Sequence, residues 1–174
     1  MSQFEVNPHR LDPYKIFKFR VRMEGRPIPG ICKVSGLKKI IEVLSIRDGK
    51  DPSSPHRSPG RTVFEPIILV RGRTHDTIFE DWSNQVWHQG SGLGSESALA
   101  NFRKDITIEL LNEAGQLVMA FKVYRCWPSE YVALGDLDAN ESCFAFESIT
   151  LQHEGWERDR AIPEPKEPSF SGPD

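Results

Sequence analysis

From Ile16 the chain alternates with a period of two. Phe17, Phe19, Val21 and Met23 take one phase, and Lys18, Arg20, Arg22 and Glu24 take the other. Successive strand side chains point to opposite faces, so this stretch reads as a half-buried strand with a solvated, mostly cationic face. Gly25, Arg26 and Pro27 turn the chain into IPGICKVSGL, a second strand interrupted at Gly30. Residues 38–46 form a third strand, with Ile41 and Val43 on one face and Ile40, Leu44 and Ile46 on the other. Glu42 is its one internal charge, which implies cover on both faces. Residues 63–70 end in the run Ile67, Ile68, Leu69, Val70, the pattern of a strand covered on both sides. Pro66 removes one ladder bond and implies an edge position or a bulge.

One segment has the helical period. Ile78, Trp82 and Val86 recur at i, i+4 and i+8, with Phe79 beside them, so these four residues are the expected helix core. Asp76, Thr77, Glu80 and Asp81 supply caps and negative charge at its start, and Gly90 is a stop. A hairpin follows: Ile106, Ile108 and Leu110 alternate with polar residues, Asn112 to Gly115 make the turn, and Leu117, Met119, Phe121 and Val123 return. An irregular strand runs past Pro128. In the last strand Phe144 and Phe146 share one phase while Ile149 and Leu151 take the other, which implies a bulge or two-sided burial. The expectation is a mainly β protein, a sandwich or barrel of about seven or eight strands with one flanking α-helix.

Length and composition add bounds. The chain has 174 residues, enough for one domain with its own core. Its organisation reads as a polar leader (residues 1–13), a β domain (14–160) and a proline-rich tail (161–174). The net charge of −3 argues against a dedicated nucleic-acid binder. No apolar run has the length of a membrane span, and the N-terminus lacks the apolar centre of a signal peptide. Cys32, Cys126 and Cys143 are odd in number and lie in apolar strand-like sequence, so reduced thiols acting as small core residues are expected.

Candidate chemistry is thin. His75 and His88 lie near opposite helix ends, and none of the five histidines is paired at zinc-site spacing. Asp136 and Asp138 sit in a polar turn too short for a calcium loop. The glycine-serine loop QGSGLGSES follows a helix rather than opening one and lacks a P-loop lysine. No catalytic residue, metal ligand or cofactor site emerges, and an enzyme is not expected. Trp82 and Trp87 read as core residues of the helix, and Trp127 and Trp156 flank strand ends.

One feature stands apart. Residues 47–62, RDGKDPSSPHRSPGRT, form a sixteen-residue polar stretch between two β-like runs, without a helix or strand signal of its own. Fixing its backbone costs roughly 1–2 kcal/mol per residue with no large apolar side chain to compensate, so another chain is expected to order it.

The stretches DPYKIFKFRVRMEGR, KVSGL, SPGRTVFEPIILVRG, THDTIFEDWSNQVW, FRKDITIELLNEAGQ, VYRCWPSEY, DLDAN and EGWERD, in that order, carry a resemblance. The chain resembles the tail tube proteins of contractile-tailed phages and the inner tube proteins of extracellular contractile injection systems. The resemblance implies a sandwich-like protomer whose six copies form a ring with a continuous inner β-barrel. Rings stack into a hollow tube that templates a sheath and is driven through a target envelope when the sheath contracts. Implied partners are copies of itself, a sheath protein, baseplate or tube-initiator and tube-terminator proteins, and luminal cargo, either effector protein or phage DNA. No membrane anchor or cofactor is implied. The protein would be made in the cytoplasm and assembled into a tail or an injection particle, cytoplasmic, membrane-attached or released.

The resemblance also suggests residues. Arg47, Asp48, Lys50, Asp51, Arg57 and Arg61 would make ring-to-ring contacts through the long loop. Lys18, Arg20 and Arg22 would face the lumen or a neighbouring protomer, unless they form a plain solvated face. A tube-initiating paralogue or secretion-system tube of the same fold, and an independent small-ligand-binding β-barrel, are the alternatives.

Overall fold

The alternation around Val21 becomes strand β1 (Phe19–Met23) in the computed structural model, which describes residues 13–46, 49, 56–86, 101–141 and 143–166. Val21 is fully buried, and Phe19 and Met23 pack beside it. Phe17 precedes the strand and is exposed, although its spacing places it in the buried phase. The short β2 (Arg26–Pro27) returns along β1, and β3 (Ile31–Val34) follows after Gly30.

The hairpin forms as expected from β7 (Lys104–Leu111) and β8 (Leu117–Val132). Gly115 holds φ at 82°, a conformation that excludes most side chains, and its N–H donates to Asn112 O at 3.0 Å. Asn112 Oδ1 accepts from the Gln116 N–H at 2.8 Å and closes the turn.

Strand β8 organises the molecule. Its first half pairs with β7 on one side and β10 (Gly155–Arg158) on the other, and its second half pairs with β9 (Phe146–Gln152). Arg125, between the halves, has φ of 54°, and its N–H is taken by Asp105 Oδ1 at 2.8 Å. The sheet thus runs β2-β1-β7-β8-β9-β6-β3, with β6 spanning Ile67–Gly72. Its two halves share one core. Val21, Ile106 and Val123 come from the first half, Ile67, Leu69, Ile149 and Leu151 from the second.

Helix α1 (Ile78–Val86) completes that core with Phe79 and Trp82. Asp76 Oδ1 accepts the Ile78 N–H at 2.9 Å, the expected cap. Trp82 Nε1 donates to Phe102 O at 2.7 Å, so the indole is buried without an orphaned donor. Ile78 and Val86 flank this pair and are only half-buried.

Several expectations change. The described residues form ten strands, more than the seven or eight read from the pattern. Ile67 and Leu69 are buried but Ile68 is exposed, so β6 is covered on one face. Phe144 lies before β9 and is exposed. The buried phase of that strand is Glu147, Ile149 and Leu151, so no bulge is needed. Of the thiols only Cys126 is buried, while Cys32 and Cys143 are exposed.

The largest correction concerns residues 47–62. Strand β4 (Lys39–Ile46) pairs antiparallel with β5 (His56–Phe64), so Arg57 and Arg61 stand on a strand and not in a loop. Arg47, Asp48, Lys50 and Asp51 lie outside the described residues. Pro59 and Gly60 concealed the strand in the sequence. Here they sit at a register shift, where Ile41 faces Thr62 and Val43 faces Pro59. A Cβ on Gly60 would come within 3.0 Å of Leu44 Cγ and 3.2 Å of the Glu42 carbonyl oxygen, so a larger residue would push its neighbours aside and the bulge favours glycine.

Candidate assembly surfaces

Among the described residues the β4–β5 pair joins no other strand and forms an arm beside the main sheet. Both its faces are apolar: Ile40 and Leu44 on one, Ile41 and Val43 on the other, with Val63 opposite Ile40. All five are exposed. The sequence anticipates cover on both faces, and the described residues supply none. An isolated two-stranded hairpin is marginal in water, and both edges of this one are open for pairing. The signal was legible in the sparse charge of residues 40–46, but the absence of an internal partner was not.

A second surface is the face of β1, β7 and β8 turned away from the core. Arg20 stands opposite Glu109, and Arg22 opposite Thr107. Glu109 lies between the two arginines, with its oxygens 3.7 Å from Arg20 Nη1 and 3.2 Å from Arg22 Nη1. The ammonium of Lys18 donates to the carbonyl of Glu113. Further along, Lys122 Nζ is 2.9 Å from Asp159 Oδ2. That pairing holds the Asp159 carboxyl below the usual range and raises the Lys122 amine. The Tyr124 hydroxyl donates to Glu157, which pushes the phenol upward. Of the cations predicted here, Arg20 and Arg22 are met by the Glu109 carboxylate of β7 and Lys18 by a backbone carbonyl. Glu109 went unnoticed in the sequence because it is one polar residue in an ordinary alternation.

A third constellation seats the helix. Arg71 and Glu147 are both buried, and Arg71 Nε donates to Glu147 Oε1 at 2.5 Å. Arg71 also donates to Asp76 Oδ2 at 3.1 Å and to Asp76 O at 2.8 Å, and its guanidinium lies 4.3 Å from the centre of the Phe79 ring. The second oxygen of Glu147 accepts from Arg73 at 2.6 Å and from the Tyr131 hydroxyl at 2.9 Å. Burial, then the hydrogen bond to Glu147, raises the Tyr131 phenol. Every member has a partner, and the network ties the helix start to β6, β8 and β9. It fixes the geometry of the helix start.

Among the described residues, no group of three His, Cys, Asp or Glu could hold a metal ion, and no helix is long and apolar enough to cross a membrane. The exposed apolar arm is a surface suited to contact with another chain.

Comparisons with known proteins agree in kind. No curated protein matches the sequence. Among solved structures, one similar chain comes from an extracellular contractile injection system, the PVC sheath-tube complex in its extended state. It is 27% identical, with a TM-score of 0.69, covering 84% of this chain and 91% of that one. A chain of the PVC sheath/tube terminator is also 27% identical, with a TM-score of 0.70, covering 85% and 97%. A chain from the tube-terminating cap of the anti-feeding prophage shares the fold at 22% identity and a TM-score of 0.71, covering 91% and 99%. The model of T4-like virus tail tube protein gp19 matches residues 15–157, which include both halves of the sheet, the helix and the arm, and the chain belongs to that family.

Proposed function

We propose that this tail tube protein is the repeating subunit of the inner tube of a contractile injection machine or phage tail, without enzymatic activity. Six copies form a ring in which neighbouring sheets join into a continuous inner barrel, and rings stack head to tail. The tube templates a sheath, is capped and started by terminator and baseplate proteins, and carries protein or DNA in its lumen. The subunit is made in the cytoplasm and assembled into the particle.

The observation that carries this reading is the arm. Five exposed large apolar residues on a two-stranded ribbon need a surface from another chain. Completing the burial of each is worth on the order of 1 kcal/mol, half of the usual value for a full side chain. The sum, roughly 5 kcal/mol, only matches the lower range of what association costs, about 4–15 kcal/mol. Several simultaneous contacts per subunit are therefore required, as a closed ring within a stack provides. Membership in the tube family and the likeness to a sheath-tube complex support the same assembly.

Arg57 and Arg61 stand on the arm, and in this reading they contact the adjacent ring together with Arg47, Asp48, Lys50 and Asp51. Arg20 and Arg22, with Lys18 beside them, face the lumen or the neighbouring protomer, already partly neutralised by Glu109.

Negative-stain microscopy of the purified protein tests the proposal. Rings or stacked tubes are expected, and a stable monomer at high concentration would overturn it. Reversing Lys50 and Arg57 to glutamate together tests the stacking charges. Tubes forming as readily as in the wild type would remove those residues from the contact.

A further inference from the structure

The arm has a counterpart on the same chain. The loop of residues 133–145, between β8 and β9, exposes Leu134, Leu137 and Phe144, the last two at 71% and 84%. It carries Asp136, Asp138 and Glu141, and no lysine or arginine occurs anywhere from residue 126 to residue 157. The arm strands have the opposite balance, Lys39, Arg57 and Arg61 against Glu42. One surface is apolar and basic, the other apolar and acidic.

Their placement is opposed as well. The arm leaves the sheet beside Ile67, at the start of β6, where the Glu65 N–H donates to Lys38 O at 3.1 Å. The loop stands at the other end of that strand, where Gly72 pairs with Phe146. There the Arg73 N–H donates to Ala145 O at 2.8 Å and the Gly135 N–H to Phe146 O at 3.0 Å, so the backbone holds the loop to the sheet. Within it Asp138 Oδ1 accepts the Asn140 N–H at 2.9 Å. The roots of the two surfaces are separated by the length of β6, roughly 16 Å at about 3.3 Å per residue.

We infer that the arm of one copy docks on the acidic, apolar loop of residues 133–145 of the next copy. The inference rests on the tube reading and names the surface that receives the arm. A contact between two different surfaces of identical chains is heterologous and propagates along an axis, as stacking requires. Exposed Leu137 and Phe144 cover one apolar face of the arm, while Asp136, Asp138 and Glu141 meet its cations and select the register.

Complementation tests the pairing. An arm variant (Lys39→Glu, Arg57→Glu, Arg61→Glu) and a loop variant (Asp136→Lys, Asp138→Lys, Glu141→Lys) should each lose stacked assemblies at least about tenfold, a change of about 1.4 kcal/mol. Mixed in equal amounts, they should assemble, because each arm then meets a loop of opposite charge. Restoration also shows that both variants are folded. A second measurement uses the native thiol beside Phe144. In a Cys32→Ser background, a Val43→Cys substitution should yield a ladder of interchain disulfides through Cys143 on oxidation.

If the wild type stacks but the mixture stays unassembled and no ladder forms, the docking surface is wrong and the tube reading stands. A wild type that never associates overturns both.

Discussion

Glu147 shows how much one side chain can hold. It is buried with Arg71, and its two oxygens accept from Arg71, Arg73 and Tyr131. Glu147→Ala leaves the Arg71 charge buried with Asp76 as its remaining carboxylate, and removal of one partner from a buried pair costs about 3–5 kcal/mol. Urea unfolding should show that loss, and a change below about 1 kcal/mol would contradict the network's structural role. Cys126 gives a pH prediction. Burial pushes its thiol from 9.0 up to about 12. The folded chain then keeps a proton that the unfolded chain releases, so this contribution is intact below pH 9.0 and is lost as pH rises toward 12. In unassembled protein at pH 8, a thiol reagent should modify the exposed Cys32 and Cys143 and reach Cys126 only on unfolding. The spacing of residues 78–86 marks Ile78, Phe79, Trp82 and Val86 as a helix core but names none of their partners; Phe79 and Trp82 are buried and the other two half-buried. The Arg71–Glu147 pair was hidden, because its members are 76 positions apart and each looks like one charge in a strand.

At the level of elements, local rules served best where the chain is its own neighbour. The hairpin turn at Gly115 and the Asp76 cap both involve residues a few positions apart, and both formed as read. The arm is the opposite case. Pro59 and Gly60 read as breakers, yet across a bulge they suit a strand, since a proline needs no donor there and the glycine lets Leu44 approach. Gly60→Val should therefore disturb the arm and spare the core. Its thermal unfolding should stay within about 0.5 kcal/mol of wild type, as for substitutions away from the core. The concentration needed for assembly should rise at least about tenfold, about 1.4 kcal/mol, measured by sedimentation. Loss of the folded core instead would show that the arm is not a separate unit.

For the whole molecule the deciding quantity is what a single chain leaves uncovered. The sandwich halves fill their shared interior, while Ile16, Val43, Leu137 and Phe144 face solvent. Assembly by such contacts mixes apolar burial with charge. Raising sodium chloride from 0.1 to 1 M shortens screening from about 10 to about 3 Å, so stacking through Arg57, Arg61, Asp136 and Asp138 should weaken about three- to tenfold. Light scattering against salt measures this, and sulfate should weaken it less, because it strengthens apolar burial. Indifference to chloride would assign the contact to the apolar residues alone.

By itself the sequence determined the mainly β class, the single amphipathic helix, the central hairpin and, through its motifs, the tube family. These follow from periodicity and turn chemistry, which act between near neighbours. Only the tertiary structure decided that residues 56–62 continue a strand, that Glu109 lies between Arg20 and Arg22, and that the arm and the acidic loop occupy opposite ends of one sheet. Those facts depend on strand order and register, set by which distant segments share a core, and no local pattern encodes them.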